Sequence, residues 1–393
     1  MGPVERGPVA SATVRLYDTA RAEIVPFEPA GPIVTMYTCG ITPYDSTHLG
    51  HAATYLTYDV LQRRLRDQGF DTRCVRNVTD VDDSILPKAR ELGVHYLDLA
   101  AGELARFDAD MERLETIPAW SEPRATSAIA DIRGFIGMVL ESGHAYEAGG
   151  AVYFDVSTSP EFGFLSHLDR DEMLAIAAER GGNVDDPNKR DPLDFVLWQP
   201  SLEDEPSWDT LWGPGRPGWH IECSALCLRE LGTTIDLHGG GADLIFPHHE
   251  CEAAQSRAAT GEPLVRHWMH QAMVRMDGEK MSKSLGNLVF VSDLAEYWDP
   301  RAIRLACISH HYRDSWEWHG ALMPGADERL RRWVAAGTGS GALDEVRLAL
   351  DEDLDTPSAV EAIDAAAAAG LGVSAAAALL GVATDRSVVL GDS

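Results

Sequence analysis

The chain has 393 residues, 45% of them apolar, enough for a large core and for two or three compact units. Its 33 basic and 62 acidic residues give a net charge of −29, which repels a phosphate backbone unless a local basic patch overrides it. No apolar run approaches the ~18–20 residues that cross a bilayer. Met1–Thr19 lacks an apolar stretch behind a basic start, which argues against secretion, and Arg6 stands where an N-myristoylation motif wants Ser or Thr, so an integral membrane or myristoylated protein is excluded and a cytoplasmic one is expected.

After a polar lead-in, Ile33 to Cys39 reads as a buried strand that breaks at Gly40 and Pro43. Leu49, Ala53, Leu56, Val60 and Leu61 recur at helical spacing up to a stop at Gly69, and Asp71 to Val78 reads as a second strand. Strand, helix and strand seed a parallel sheet with its ligand site at the strand C-terminal ends. Helices are expected from about Tyr96 to Leu114 and Thr126 to Ser142, then a short strand at Val152 to Val156 and a loop-rich stretch through Pro206. The sheet pattern resumes with a strand at Thr234 to His238 running into Gly239-Gly240-Gly241, a helix after His249 and a strand at His267 to Met276. Beyond Asn287 the chain reads as helical, and Ser340 to Ser393 is Ala-rich with two Arg against ten acidic residues. The expected division is an N-terminal segment (1–32), a Rossmann-like α/β domain in two halves (33–117 and 208–290), a connective insertion (118–207), a linking helical region (291–339) and a small helical bundle (340–393).

Thr47-His48-Leu49-Gly50-His51 falls where the first strand hands over to the first helix. A helix N-terminus offers unpaired N–H groups to an anion, two imidazoles one turn apart can donate to phosphate oxygens, and Gly50 lets a nucleotide approach the backbone. The spacing alone fits a solvated histidine pair equally well. Only four lysines (Lys88, Lys189, Lys280, Lys283) stand against 29 arginines, and two of the four lie within Lys280-Met281-Ser282-Lys283-Ser284, after an Asp277-Gly278-Glu279 turn. Compact ammonium groups on such a loop can follow charge developing on a leaving pyrophosphate. The six cysteines (Cys39, Cys74, Cys223, Cys227, Cys251, Cys307) lack the density of a disulfide scaffold and read as reduced thiols with a metal site among them. Cys39, Cys223 and His248 each fall at a strand end or turn of one predicted sheet edge, and Cys₂His with an open fourth position is a zinc arrangement of catalytic sites. Taken singly, each cysteine also fits a small buried hydrophobe; Cys227 and Cys251 are read that way.

The two motifs, in that order at opposite ends of a split parallel sheet, resemble the signatures of class I aminoacyl-tRNA synthetases. Cys39-Gly40-Ile41-Thr42-Pro43-Tyr44-Asp45, Asn77-Val78-Thr79-Asp80-Val81-Asp82-Asp83, Gly218-Trp219-His220-Ile221-Glu222-Cys223-Ser224, and Gly239-Gly240-Gly241-Ala242-Asp243 through Phe246-Pro247-His248-His249-Glu250 resemble the cysteinyl-tRNA synthetase branch. Within it, Ile41 to Ala52, Glu179-Arg180-Gly181-Gly182, Lys189 to Asp194 and Gly213 to Trp219 look like the mycothiol cysteine ligases. That family's Glu-Arg-Gly-Gly element usually continues Asp-Pro; here Asn183-Val184 follows. The stretch after the lysine motif is short, acidic and without a basic surface for an anticodon stem.

The resemblance implies a monomeric, ATP-dependent, amide-forming ligase with small-molecule substrates and no nucleic-acid or membrane partner. L-cysteine and ATP, with Mg²⁺, would give cysteinyl-AMP, whose carbonyl is attacked by the amine of glucosaminyl-inositol. His48, His51, Lys280 and Lys283 would be catalytic. Cys39, Gly40, Ile41, Thr42, Thr54, Asn77, Val78, Thr79, Trp219, Gly241, Ala242, Asp243 and Val274 would contact the adenylate. Cys39, Cys223 and His248 would hold one Zn²⁺ able to take the substrate thiolate, which a serine hydroxyl could not match. Glu252, four residues after His248, falls where cysteinyl-tRNA synthetases carry a further zinc ligand. The Trp219 ring fits a wall of the cysteine pocket and core packing equally. Asp243 and Asp80 are the candidates for a general base. A shortened cysteinyl-tRNA synthetase and a silent adenylate-binding regulator remain as alternatives, the latter against the presence of all four motif His and Lys residues.

Overall fold

The computed structural model describes residues 13–43, 47–281 and 286–388. An antiparallel hairpin of β1 (Arg15–Asp18) and β2 (Glu23–Pro26) precedes β3 (Ile33–Ile41), α1 (Leu49–Asp67) and β4 (Asp71–Val78). Then come α2 (Ile85–Leu92), α3 (Tyr96–Arg113) and α4 (Ile129–Glu141), followed by β5 (Ala145–Ala148), β6 (Ala151–Phe154), α5 (Arg170–Glu179), β7 (Phe195–Gln199) and β8 (Arg216–Pro217). The chain returns through α6 (Trp219–Leu231), β9 (Ile235–Gly241), α7 (Glu250–Thr260) and β10 (Val265–Gln271), then β11 (Val274–Met276) and β12 (Glu279–Lys280). The rest is α8 (Val291–Ala295), α9 (Pro300–Ile308), β13 (Trp316–Glu317), α10 (Leu322–Ala336), α11 (Leu343–Asp351), α12 (Thr356–Ala368) and α13 (Ser374–Leu379).

The central sheet runs β10-β9-β3-β4, all parallel. Its strands bury residues on both faces, as helix-covered parallel strands must, although only β3 is mainly apolar and β-branched while β4, β9 and β10 also carry polar residues. From β3 the chain crosses by α1 to β4 on one side, while β9 pairs on the other. The β3/β9 boundary is therefore a topological switch point, with a crevice outside the strand carboxyl ends. Register brings those ends level: Tyr37 lies beside His238 and Val75, and His238 beside Trp268. Gly239 is required there, since a Cβ would run into the Tyr58 hydroxyl, which itself donates to the Met269 carbonyl at 2.7 Å.

Several expectations need correcting. The lead-in is not simply polar: Val14, Leu16 and Phe27 are buried in the main core, and the β1–β2 hairpin leans on β10 through Thr19 N–H donating to Trp268 O at 2.9 Å. The stretch before Pro206 contains α5 and β7 as well as loops. Helix α5 has no apolar stripe at helical spacing, because its apolar residues run together from Met173 to Ala178, and it is started by a capping box, Asp169 with Glu172. The strand expected at His267 to Met276 is two strands in two sheets, parted where the Ala272 N–H turns away to Tyr312 O at 2.7 Å. β11 then pairs with β12 and, in parallel, with β13.

Candidate active site

Four elements converge on the crevice. The carboxyl end of β3 delivers Cys39 to Thr42, the start of α1 delivers His48, His51 and Thr54, the end of β9 delivers Gly241 and Asp243, and the β11–β12 hairpin delivers Val274 and Lys280. Together with Trp219 these line one cavity of about 560 Å³. Asn77, Val78, Thr79 and Ala242 do not line it. Asn77 acts from beneath, accepting the Gly40 N–H at 2.8 Å and donating to Thr79 Oγ1 at 3.1 Å, and a Cβ at Gly40 would collide with the Asn77 carbonyl. Lys283 and the Tyr44-Asp45 part of the β3 motif lie outside the described residues.

His48 is the N-cap of α1: its Nδ1 accepts the Gly50 N–H at 3.1 Å, and its ring stacks on His51 with centroids 3.8 Å apart. Burial, then His51 and Lys280, lower its pKa to about 2, so the ring is neutral. Lys280 Nζ donates to Asp243 Oδ2 at 2.5 Å across the cavity mouth. Asp80, the other candidate base, is fully buried and accepts the Thr126 N–H at 2.9 Å and hydroxyl at 2.6 Å, away from the cavity.

At the cavity floor the side chains that could hold a metal meet. Cys223 reaches it from the first turns of α6, not from a strand end or turn as expected, and His248 from the turn Ile245–His249. Ligand atoms of Cys39, Cys223, His248 and Glu252, all buried, lie within 4.8 Å of one another. Cys39 Sγ stands 3.8 Å from Cys223 Sγ and 3.4 Å from Glu252 Oε1, which is 3.0 Å from His248 Nε2. Against burial, the Cys39 hydrogen bond and His248 bring the Cys223 thiol down to about 6, while Glu252 and Cys223 lift His248 to about 10. Glu252 is held well below the usual carboxylate range by His238 and His248 despite burial. Burial keeps Cys39 protonated. The group is thus thiolate, imidazolium and carboxylate beside a thiol, and a divalent cation would take the place of two protons. Two sulfurs, one imidazole and one carboxylate suit zinc. Trp219 stacks on His248 at 4.0 Å while lining the cavity, so it serves both wall and packing.

A family model described as the tRNA synthetases class I (C) catalytic domain matches residues 27–328. A protein of Nocardiopsis dassonvillei named L-cysteine:1D-myo-inositol 2-amino-2-deoxy-alpha-D-glucopyranoside ligase is 49% identical over 365 residues, 91% of this chain and 89% of that one. The chain belongs to the class I tRNA synthetase family, in the branch of this ligase. A second member of that branch, the identically named protein of Thermobispora bispora, is 47% identical over 93% of this chain and 92% of its own. The class I fold is shared with Mycobacterium tuberculosis methionyl-tRNA synthetase in complex with methionyl-adenylate, at a TM-score of 0.64 with 17% identity over 86% of this chain and 82% of that one.

Some residues of this class I site escaped sequence reading. Arg180 and Gly181 overhang the cavity from the loop after α5, and the Arg180 guanidinium donates to the carbonyls of Asp243 and Phe246, the latter at 2.5 Å. Asp82, Asp83 and Ser84 line the wall beyond Thr42. The Glu-Arg-Gly-Gly wording was the signal for Arg180. His249 lay within the quoted Phe246 to Glu250 wording, but His238 on β9 and His270 on β10, which pack with it behind Cys39, carried no signal, because alternating residues in a strand reveal a face and not a partner.

Proposed function

We propose that the protein joins the carboxyl group of L-cysteine to the amine of glucosaminyl-inositol in two steps at the cavity above Cys39. In the first, the cysteine carboxylate displaces pyrophosphate from ATP, with Mg²⁺ on the phosphates, to give cysteinyl-AMP. In the second, the amine attacks the mixed anhydride, releasing AMP and a proton and leaving an amide. The observation that carries this reading is the buried Cys39, Cys223, His248 and Glu252 group at the floor of a cavity whose rim bears His48, His51 and Lys280. The 49% identity to a protein named as such a ligase supports it.

In this reading Cys39, Cys223 and His248 hold Zn²⁺, with Glu252 beside them, and the metal supplies a soft Lewis acid that distinguishes a thiol from a hydroxyl. The chain's own groups do the rest. His48, neutral with Nδ1 committed to Gly50, donates from Nε2 to a phosphate oxygen. The half-exposed Lys280 exchanges Asp243 for the pyrophosphate as charge develops there. Gly40, fixed by Asn77, lets the substrate lie against the backbone.

The test is purified protein with cysteine, ATP and each acceptor in turn. Glucosaminyl-inositol should release one AMP per amide formed. Release stimulated by tRNA instead, with cysteinyl-tRNA captured at a matching rate, would overturn the reading in favour of a synthetase.

A further inference from the structure

Cys39 and Glu252 face a second set of donors. On the side away from Cys223, His249 Nε2 lies 3.2 Å from Cys39 Sγ, and His238 Nε2 lies 3.0 Å from Glu252 Oε2. Ligand atoms of Cys39, His238, His249 and Glu252 fall within 4.8 Å of one another, and both histidines are fully buried. His249 is oriented as metal-binding imidazoles are: its other nitrogen, Nδ1, meets His270 Nε2 at 2.7 Å, and His270 Nδ1 meets Thr19 Oγ1 at 2.7 Å. Trp268 stacks on His238 and fixes that ring as well.

We propose that Cys39, His238, His249 and Glu252 form a second metal position, bridged to the first through the Cys39 sulfur and the Glu252 carboxylate, which takes a further Zn²⁺ when that metal is in excess. A donor set of one sulfur, two imidazoles and one carboxylate selects a borderline-soft divalent ion over Mg²⁺ or Ca²⁺. The second ion draws on the two ligands that the first site shares with it, so excess zinc slows cysteine activation. The inference rests on the reading of Cys39, Cys223, His248 and Glu252 as the first site.

The experiment loads the full-length protein with Zn²⁺ alone and counts ions retained through gel filtration. The wild type should hold two, and the His238→Gln/His249→Gln variant one. Thr19→Val removes only the outermost partner on the surface hairpin. It should weaken the second ion about tenfold without touching the first, which keeps the question decidable if the buried variant folds poorly. In the wild type the second equivalent of Co²⁺ should add its own visible absorption. Excess zinc should depress pyrophosphate exchange relative to one equivalent in the wild type, and that ratio should return to unity in the histidine variant. A single ion in the wild type at saturating zinc, unaltered by the histidine changes, overturns the proposal. A single ion lost in the histidine variant but kept in Cys223→Ala would refute the first site and, with it, the bridged pair, and so also overturns the proposal.

Discussion

The Nδ1 atom of His48 accepts the Gly50 N–H, which leaves Nε2–H as the only donor of a ring whose pKa lies near 2 through burial, His51 and Lys280. A group that stays neutral contributes no acid limb to a rate profile, so an uncharged donor of similar reach should substitute for it. His48→Asn is expected to keep pyrophosphate exchange within about tenfold of the wild type with a parallel pH profile, and His48→Ala to lose about 10²-fold. An acid limb present in the wild type and absent from the asparagine variant would contradict the neutral role. His48, His51 and the Cys39, Cys223 and His248 trio could be singled out in the sequence only when the motifs were read together, because the spacing of the histidine pair and each cysteine alone fit a structural role equally well. Glu252 was legible only as a position one turn after His248. The second rank of histidines was not, since nothing in a single chain says that residues 238, 249 and 270 meet.

Among the elements, the turn from Gly241 to His249 carries Asp243, the partner of Lys280, and His248, a member of the buried group that could hold a metal. Arg180 ties it to the loop after α5 by donating to two of its carbonyls. Hydrogen bonds from a charged donor contribute about 1.5–3 kcal/mol. Arg180→Ala should therefore slow amide formation roughly 10- to 100-fold while metal content and melting temperature stay close to the wild type, because the side chain lies at the surface. Loss of metal with unchanged turnover by the folded fraction would place its effect on stability alone. Helix α1 illustrates a different dependence. Asp59 is buried, yet Arg304 from α9 and Arg63 hold its carboxyl below the usual range, and Arg304, fully buried, donates to it and to Leu114 O and Leu380 O. A depressed carboxyl stabilises the fold above its unfolded pKa of about 3.9, and that contribution is lost as pH falls through the lower folded value. Asp59→Asn should cost about 3–5 kcal/mol at neutral pH by leaving Arg304 without a counter-charge. It should also flatten the stability profile below about pH 4, both read from denaturant melts; a profile as steep as the wild type's would assign the acid sensitivity elsewhere. The parallel strands and α1 were legible from period and composition, whereas α5 and the break between β10 and β11 were not, being set by a cap and by a distant carbonyl.

At the scale of the molecule, a net charge of −29 surrounds the cavity with a field that favours a cationic amine and opposes a polyanion. The Michaelis constant for the aminosugar acceptor should rise only modestly with salt, with a slope near that of one charge, while any tRNA binding should be weak and fall steeply as counterions are released. Titrations from low to physiological salt check both, and tRNA binding that persists with a shallow slope would count against a small-molecule acceptor. No helix among the described residues is long and apolar enough to cross a membrane.

Val274 and Arg275 of β11 pair with Trp316 and Glu317 of β13, Trp318 N–H donates to Arg275 O at 2.7 Å, and Gly278 N–H reaches Glu317 Oε1 at 2.9 Å. Tyr312, whose carbonyl receives the Ala272 N–H, is itself anchored to Asp353 at 2.6 Å. The hairpin that presents Lys280 thus hangs from the helical half of the chain and not from the sheet that precedes it. Exchanging C-terminal halves between relatives would therefore change the mounting of Lys280. A gene fragment cut between residues 281 and 316 would keep Cys39, Trp219, Cys223 and His248 while leaving the Lys280 hairpin without its third strand.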